Sequence, residues 1–492
     1  MLPGYDAAGQ RMDDGSLLLY PELVLKGWLP YRDFETFYGP GNAYLLAAVY
    51  GLFHPGIFLA RTVGFAYHLA ILAAVFFIVR RRGIALASGV VLIAHCFLLL
   101  TGLAPFAWVG GLAFALWSIF LGAAQPGERQ MFCAGFLGGV ALLFRPDLAP
   151  ALCMAAGLLL FFARNKLRLS YVLGLGVGVL PMLLLLYGAG FRNIFDNLVL
   201  YPVVVTNPAR KLPWQSLPLY LKYLVSLHLA ASAANLGAGM LALRKDSAAW
   251  SNQLFAAAAI FSTGITHETL QRMDRGHVTL CCFLSLALLP AALMIIAERV
   301  VSRPSSQSRP LLCVTATLLL VLGLAPELAH LMPQAAGWGT STKEVVFLEH
   351  NARSFPLGGI EAARETGALL DKITRVATPG ERLFVGPADL RRTNYNDTFL
   401  YHLLPQLTPA TYFLELNSLS ANRPGSRLST DVLSADWLIL DHRLDEWNEP
   451  NKSMRFGSDE PNVVVQSHFE MVARSGSYDL YRKKSTDAAS PP

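Results

Sequence analysis

Charge is what this sequence has least of. Only 15% of its 492 residues are Asp, Glu, Lys or Arg, against 53% hydrophobic, where an ordinary soluble domain carries about 25% charge. That shortage excludes disorder and argues against a multi-domain soluble protein. Cysteine is scarce as well. Cys96, Cys133, Cys153, Cys281, Cys282 and Cys313 all lie in apolar runs, so the polar ends can face an oxidising compartment without any disulfide. Adjacent Cys281 and Cys282 would point about 100° apart on a helix, which favours core thiols over a metal pair. The sequence has no Gly-x-Ser-x-Gly elbow, P-loop or Cys-x-x-Cys pair. Gly174-x-Gly176-x-Gly178 lies inside an apolar run with no strand before it, and reads as close helix packing rather than a dinucleotide loop.

What the sequence has is long apolar runs. The formal charge of +6 is uneven: residues 1–40 hold 3 basic and 6 acidic side chains, residues 41–330 hold 20 and 8, and residues 331–492 hold 17 and 20. The basic part is also the apolar part, so no basic soluble surface is available for nucleic acid. A spanning helix needs roughly 20 apolar residues. Ten candidates follow: Ala60–Val79, Ile84–Leu100, Leu103–Ala123, Met131–Phe144, Leu148–Ala163, Ser170–Ala189, Tyr223–Leu243, Trp250–Thr266, Val278–Ala297 and Leu311–His330. Gly41–Phe53 is too short to span and is expected at the interface. Alternate loops carry Arg80–Arg82, Arg129, Arg164/Lys166/Arg168, Arg244/Lys245 and Arg299/Arg303/Arg309, a total of 12 positive charges that mark the cytoplasmic side. Residues 1–59, the Arg145–Asp147 turn, the loop 190–222, the turn 268–277 and residues 331–484 then share the outer side. Met1–Asp6 has neither a basic n-region nor an apolar h-region, so a first spanning helix is expected upstream of this start.

The C-terminal part, residues 331–484, reads as an extracytoplasmic α/β domain, followed by a disordered tail over 485–492. A helix is expected over Ile360–Val376 and another near Ser426–Ser434. Strands are expected over Arg382–Gly386, Asp436–Leu440, Val463–Gln466, Phe469–Arg474 and Tyr478–Arg482, in a partly parallel sheet with an antiparallel edge. Trp437, Trp447 and Tyr412 read as packing aromatics. Asn396-Asp397-Thr398 and Asn451-Lys452-Ser453 fit the glycosylation acceptor pattern, which matters only in a eukaryotic secretory setting.

The outer-face charges of the apolar region are few and clustered: Asp147, Asp196, Glu268, Asp274 and Glu327 with Arg61, Arg145, Arg192, Arg210, Lys211, Lys222, Arg272 and Arg275. Ionisable groups at the ends of apolar helices are costly and tend to be functional. In the first loop, Asp13-Asp14-Gly15 precedes an amphipathic segment. Asp caps helix N-termini, and an ionised Asp can equally take the proton of an attacking hydroxyl; the chemistry alone leaves both readings open.

Asp13-Asp14-Gly15, Gly27-x-x-Pro30-Tyr31-Arg32-Asp33, Gly39-Pro40, Leu143-Phe144-Arg145-Pro146-Asp147, the loop Leu198–Pro213 and Arg272-x-Asp274-x-x-His277 together resemble the GT-C superfamily of membrane glycosyltransferases. The likeness is to bacterial relatives of protein O-mannosyltransferases and of the lipid A aminoarabinose transferase, and it runs over nearly the whole chain. It implies a polytopic α-helical protein of the bacterial inner membrane that moves a sugar, with inversion, from a polyprenyl phosphate to a hydroxyl of a glycan, lipid or protein on the outer face. It also implies Asp13 as general base with Asp14 assisting, and substrate contacts from Tyr31, Arg32, Asp33, Arg145, Asp147, Arg210, Lys211, Arg272, Asp274 and His277.

A lipid-phosphate leaving group needs fixed cations at headgroup depth. Arg210 with Lys211 ranks first, then Arg272, then Arg145. The Pro202- and Pro208-flanked loop is expected to be a lid or interfacial segment rather than a continuous helix. His267-Glu268 with Asp274 and His277 offers metal-type ligands, but Arg272 and Arg275 oppose a dication, so the expectation is no required cofactor and no metal ligands. Competing readings are a polymerase or ligase moving lipid-linked glycans, a transporter, and a non-catalytic relative whose tail domain binds glycans. The absence of a clear internal repeat and the placement of charge at helix ends argue against the transporter.

Overall fold

Inside a bilayer there is no water to pair with exposed peptide groups, so apolar runs close their hydrogen bonds within helices. The computed structural model describes residues 5–124, 126–300, 309–323, 344–393, 395–443, 445–446 and 457–485, and within these every expected apolar run is helical. Two helices precede them, α1 (Asp13–Leu25) and α2 (Gly41–Leu52). The apolar runs form α3 (Ile57–Val79), α4 (Ile84–Leu99), α5 (Ala107–Ala123), α6 (Glu128–Phe144), α7 (Ala149–Phe162) and α8 (Asn165–Ala189). After the short α9 (Phe191–Phe195) and α10 (Asn207–Arg210) come α11 (Leu219–Lys245), α12 (Trp250–Gly264), α13 (Thr266–Gln271), α14 (Arg275–Val300) and α15 (Arg309–Gly323).

By length and composition, four described helices are able to cross a membrane: Ile57–Arg82, Asn165–Ala189, Leu219–Lys245 and Arg275–Arg299. The others are shorter, so the expectation of ten spans is met in helical character and not in crossing length. The last expected span is described only as far as Gly323. Glu327, Arg303, Trp447, Asn451 and residues 486–492 lie outside the described residues.

Helix α14 is the most enclosed of the four long helices and packs against α4, α11, α12 and α15. Helix α8 is the outermost, and α6 anchors it through glycines. A Cβ on Gly174 would come within 2.0 Å of the Phe132 carbonyl oxygen, and one on Gly135 within 1.9 Å of that of Tyr171. The backbones touch there, as the glycine spacing led us to expect, although Gly176 faces open space. At the far end of the bundle Arg82 donates to Asn252 Oδ1 (3.0 Å) and Lys245 pairs with Glu298 (3.6 Å). The basic loop at Arg80–Arg82 therefore meets the start of α12, and the basic end of α11 meets the end of α14.

In the tail domain a hairpin of β1 (Val345–His350) and β2 (Arg353–Gly358) precedes α16 (Ile360–Val376), and neither strand was expected from the sequence. The main sheet runs β4 (Thr408–Pro409), β3 (Arg382–Pro387), β5 (Trp437–Asp441), β7 (Tyr478–Lys483), β6 (Phe469–Ser475) in spatial order. Strand β3 is parallel to β4 and β5, and β7 is antiparallel to β5 and β6, as expected. Two short helices, α17 (Phe399–Leu403) and α18 (Leu428–Leu433), flank it.

Two expectations fail. Val463–Gln466 belongs to helix α19 (Glu460–His468), not to a strand. Its three valines read as β, but Glu460-Pro461 supplies an acidic first turn with Pro at its second position, which starts a helix. Residues Asp196–Val205 are helical straight through Pro202, in a wide π-type helix. Its bonds span five residues, and Pro202 remains buried within it.

The close contact of α6 and α8 makes a prediction. Gly174→Ala or Gly135→Ala lowers the unfolding midpoint in detergent, with a cost of about 1–3 kcal/mol for overpacking. Gly176→Ala leaves the midpoint unchanged or raises it. Thermal unfolding of the three variants beside wild type checks this.

Candidate functional site

Helix α1, the chain around Tyr38, the Arg145 turn between α6 and α7, and the α13–α14 junction meet beneath the tail domain. They enclose a cavity of about 660 Å³. A second cavity of about 250 Å³ adjoins it on the side of the Asp196–Arg210 segment. Asp13, Tyr38, Arg145, Arg272, Asp274 and Glu415 line both.

Asp13 and Asp14 open α1 and, being neighbours on a helix, point in different directions. Asp14 is buried. Its Oδ2 accepts the Gln10 N–H (3.0 Å) and lies 3.7 Å from Arg61, whose guanidinium also donates to the Tyr5 carbonyl (2.6 Å). Asp14 is thus a structural carboxylate that lines neither cavity. Asp13 faces both cavities and accepts no hydrogen bond among the described residues. Burial and the negative charges of Glu415, Asp14 and Asp274 push its carboxyl up to about 7, against the pull of Arg272. A carboxyl poised there can take a proton at neutral pH.

Opposite stand two arginines held by acids. Arg145 forms a bidentate pair with Asp147, donates to Glu268 Oε2 (3.1 Å), and is enclosed by the rings of Trp108 (4.6 Å) and Tyr38 (5.4 Å). Arg272 donates from Nε to Asp274 and from Nη1 to the Arg210 carbonyl (3.3 Å), which ties the α13–α14 junction to the end of α10. His277 Nδ1 lies 2.9 Å from Asp274 Oδ1, and its backbone N–H donates to the same oxygen at 2.9 Å. Burial alone would raise the Asp274 carboxyl, but His277 and Arg272 outweigh it and hold it well below the usual range. Glu268 behaves alike: burial opposes ionisation, and His267 and Arg145 overcome it.

Of the expected site residues, Asp13, Arg145, Arg272, Asp274 and His277 converge on both cavities, and Asp147 and Arg210 on the second. Lys211 is exposed and lines neither. Tyr31, Arg32 and Asp33 also line neither, although the flanking Pro30 and Phe34 line the first. Tyr31 is buried with φ +71°, and its hydroxyl donates to the Tyr38 carbonyl (2.7 Å). Arg32 pairs with its neighbour Asp33 (2.7 Å), which in turn accepts the Leu29 N–H (2.7 Å). Those three residues build the turn that delivers Tyr38.

The motifs did not single out Tyr38, which directly precedes Gly39-Pro40, or Glu415, whose signal was a lone acid in the apolar stretch Phe413-Leu414-Glu415-Leu416. The grouping of His267 and Glu268 with Asp274 and His277 separates in space. The ligand atoms of Asp147, His267 and Glu268 lie within 4.8 Å of one another, but the Arg145 guanidinium bonds both acids. Asp274 and His277 pair with each other.

The two neighbouring aspartates respond oppositely to removal of charge. The folded protein binds the Asp13 proton more tightly than the unfolded chain, so this group's contribution to stability falls as pH rises from about 4 to about 7. Asp13→Asn therefore raises the thermal midpoint above neutrality. Asp14→Asn leaves the buried Arg61 uncompensated and lowers it, at a cost of roughly 3–5 kcal/mol. Thermal shift measurements at pH 8 check both signs.

No protein-family model matches the chain, and no curated protein sequence matches it. Its structure is similar to that of ArnT from Cupriavidus metallidurans bound to undecaprenyl phosphate, with a TM-score of 0.53 and 13% identity over 99% of this chain and 96% of that one. It is similar also to ArnT from the same organism in the apo state, with a TM-score of 0.51 and 13% identity over 98% and 94%. The resemblance read from the short motifs is thus met by the whole backbone, and the chain has the fold of ArnT.

Proposed function

We propose that the protein is an inverting glycosyltransferase that moves a sugar from a polyprenyl phosphate to an acceptor hydroxyl on the outer face of the membrane. One observation carries this reading. The Asp13 carboxyl, with no hydrogen-bond donor among the described residues, faces the same cavity as Arg272 and Arg145 in a chain with the ArnT fold. The undecaprenyl phosphate bound to ArnT supports a prenyl phosphate as the donor's carrier.

In a single displacement the acceptor oxygen bonds to the anomeric carbon as the carbon–oxygen bond to phosphate breaks. The hydroxyl proton passes to Asp13, and the phosphate leaves with one more negative charge. Arg210 and Arg272, tied to each other through the Arg210 carbonyl, are suited to receive that charge. Fixed donors of this kind need no rearrangement at the moment of reaction. Arg145, already neutralised by two acids, is better suited to holding the site's shape. In the proposed orientation the Arg80–Arg82 end of the bundle is cytoplasmic, and the first loop and tail domain are outside.

The scheme routes no step through a metal, and the Arg145 guanidinium already bonds both Asp147 and Glu268. A transfer assay in nanodiscs with radiolabelled polyprenyl-phosphate sugars and membrane extract tests the reading. Wild type moves label, Asp13→Asn moves it about 10²–10⁴-fold more slowly, and a chelator leaves the wild-type rate unchanged. Equal rates for wild type and Asp13→Asn would remove Asp13 as base, and label arriving as preassembled glycan would favour a ligase.

A further inference from the structure

The tail domain does more than roof the cavity. The chain from Tyr412 to Asn422 turns back toward the first loop with Leu416 (φ +54°) and Leu419 (φ +68°) in the left-handed region, a conformation that branched side chains adopt only when their surroundings enforce it. The restraints are visible. Asn396 Nδ2 donates to the Leu414 carbonyl (2.7 Å), and Asn417 Nδ2 donates to Glu35 Oε2 (3.2 Å). The Tyr412 hydroxyl donates to the Tyr31 carbonyl (2.9 Å) and receives a hydrogen bond from Asn197 Nδ2 (2.8 Å). These contacts fix on both sides a segment whose one acidic side chain, Glu415, lines both cavities together with Asp13.

We propose that Glu415 is a positioning residue for Asp13: the tail domain supplies a second carboxyl to the cavity wall, and the two carboxyls hold one proton between them. The proposal rests on the assignment of Asp13 as the proton acceptor. Two carboxyls facing one partly water-excluded cavity resist carrying two negative charges, so the ionisation of one strengthens the other as a base. The remaining charges leave this pair apart. Asp14 of the same helix is taken by Arg61. Asp274 is taken by Arg272 and His277, and Glu268 by Arg145 and His267. Glu415 itself faces Tyr20 and Ser16 of α1, Asn417 of its own segment and the Arg210 guanidinium, with burial raising its proton affinity. Burial and the negative charge of Glu415 both raise the proton affinity of Asp13. Bringing this group to the site thus makes the strength of the base depend on the docking of the tail domain.

The test reads Asp13 directly. A hydrophobic carbodiimide reacts with protonated carboxyls, and peptide mass spectrometry of the full-length protein in detergent follows modification of Asp13 against pH. This readout needs no donor and no transfer, so it is informative even if the proposed reaction proves wrong. Modification of wild-type Asp13 falls with a midpoint near 7. In Glu415→Gln, which keeps size and polarity but not charge, the midpoint moves down by about one pH unit. Glu415→Asp, which keeps the charge, stays near wild type. Where transfer is measurable, the acid limb of kcat moves with the label. An unchanged midpoint in Glu415→Gln, or the same downward shift in Glu415→Asp, overturns the proposal.

Discussion

Glu22 of α1 is buried against two partners from the tail domain, the Arg353 guanidinium and His402 Nδ1 at 2.6 Å, and the cavity depends on pairs of this kind. Asp397 of the tail domain binds Arg11 (3.3 Å), Arg443 (2.6 Å) and the Tyr478 hydroxyl (2.5 Å). Glu35 of the first loop receives hydrogen bonds from Ser420 and Asn417. Each carboxylate is taken out of water at a cost that only a complete set of partners offsets, so the loss of a single partner is severe. Gly15 makes the approach possible: a Cβ there would lie 2.3 Å from the Phe399 nitrogen. The glycine of the Asp13-Asp14-Gly15 motif thus lets α1 lie against α17, with Asp13 two residues from the contact.

The electrostatics of the site follow from which acids find cations. Asp274 and Glu268 have them, stay ionised, and act as anchors for arginines. Glu35 accepts hydrogen bonds only from neutral donors, Asn417 and Ser420, and burial pushes its carboxyl up to about 8. Asp13 stands apart from both kinds, with neither cation nor hydrogen-bond donor close enough to hold its charge. A group left in that state costs stability, and proteins carry such costs where chemistry is done.

Apolar run length located the helices, because backbone satisfaction in lipid leaves a run no other structure, and charge asymmetry between loops separated the two ends of the bundle. Local spacing gave helix α16 to the residue and most of the main sheet. It misread Val463–Gln466, where a proline-led first turn outweighed β-branched propensity, and it missed the hairpin β1–β2. The Arg145–Asp147 turn and Arg272-x-Asp274-x-x-His277 were legible because their partners are two or three residues apart. Glu415 was not. Asp13, which lines the same cavities, lies some four hundred positions away, and no periodicity within one segment encodes a cavity wall built jointly by two parts of the chain. Tyr31-Arg32-Asp33 is a motif dense in polar groups whose bonds lie in the turn that carries Tyr38, and it lines neither cavity.

The central claim is that one cavity, built jointly by the first loop, the Arg145 and Arg272 turns and the tail domain, receives the lipid phosphate opposite Asp13. The most direct measurement is a structure of the full-length protein in nanodiscs with polyprenyl phosphate. Phosphate density is expected within hydrogen-bond distance of the Arg210 or Arg272 guanidinium, with the prenyl chain leaving between helices and the Asp13 carboxyl on the facing wall. Phosphate bound at the Arg80–Arg82 end of the bundle, or on the outside of the tail domain with the cavity empty, would contradict it.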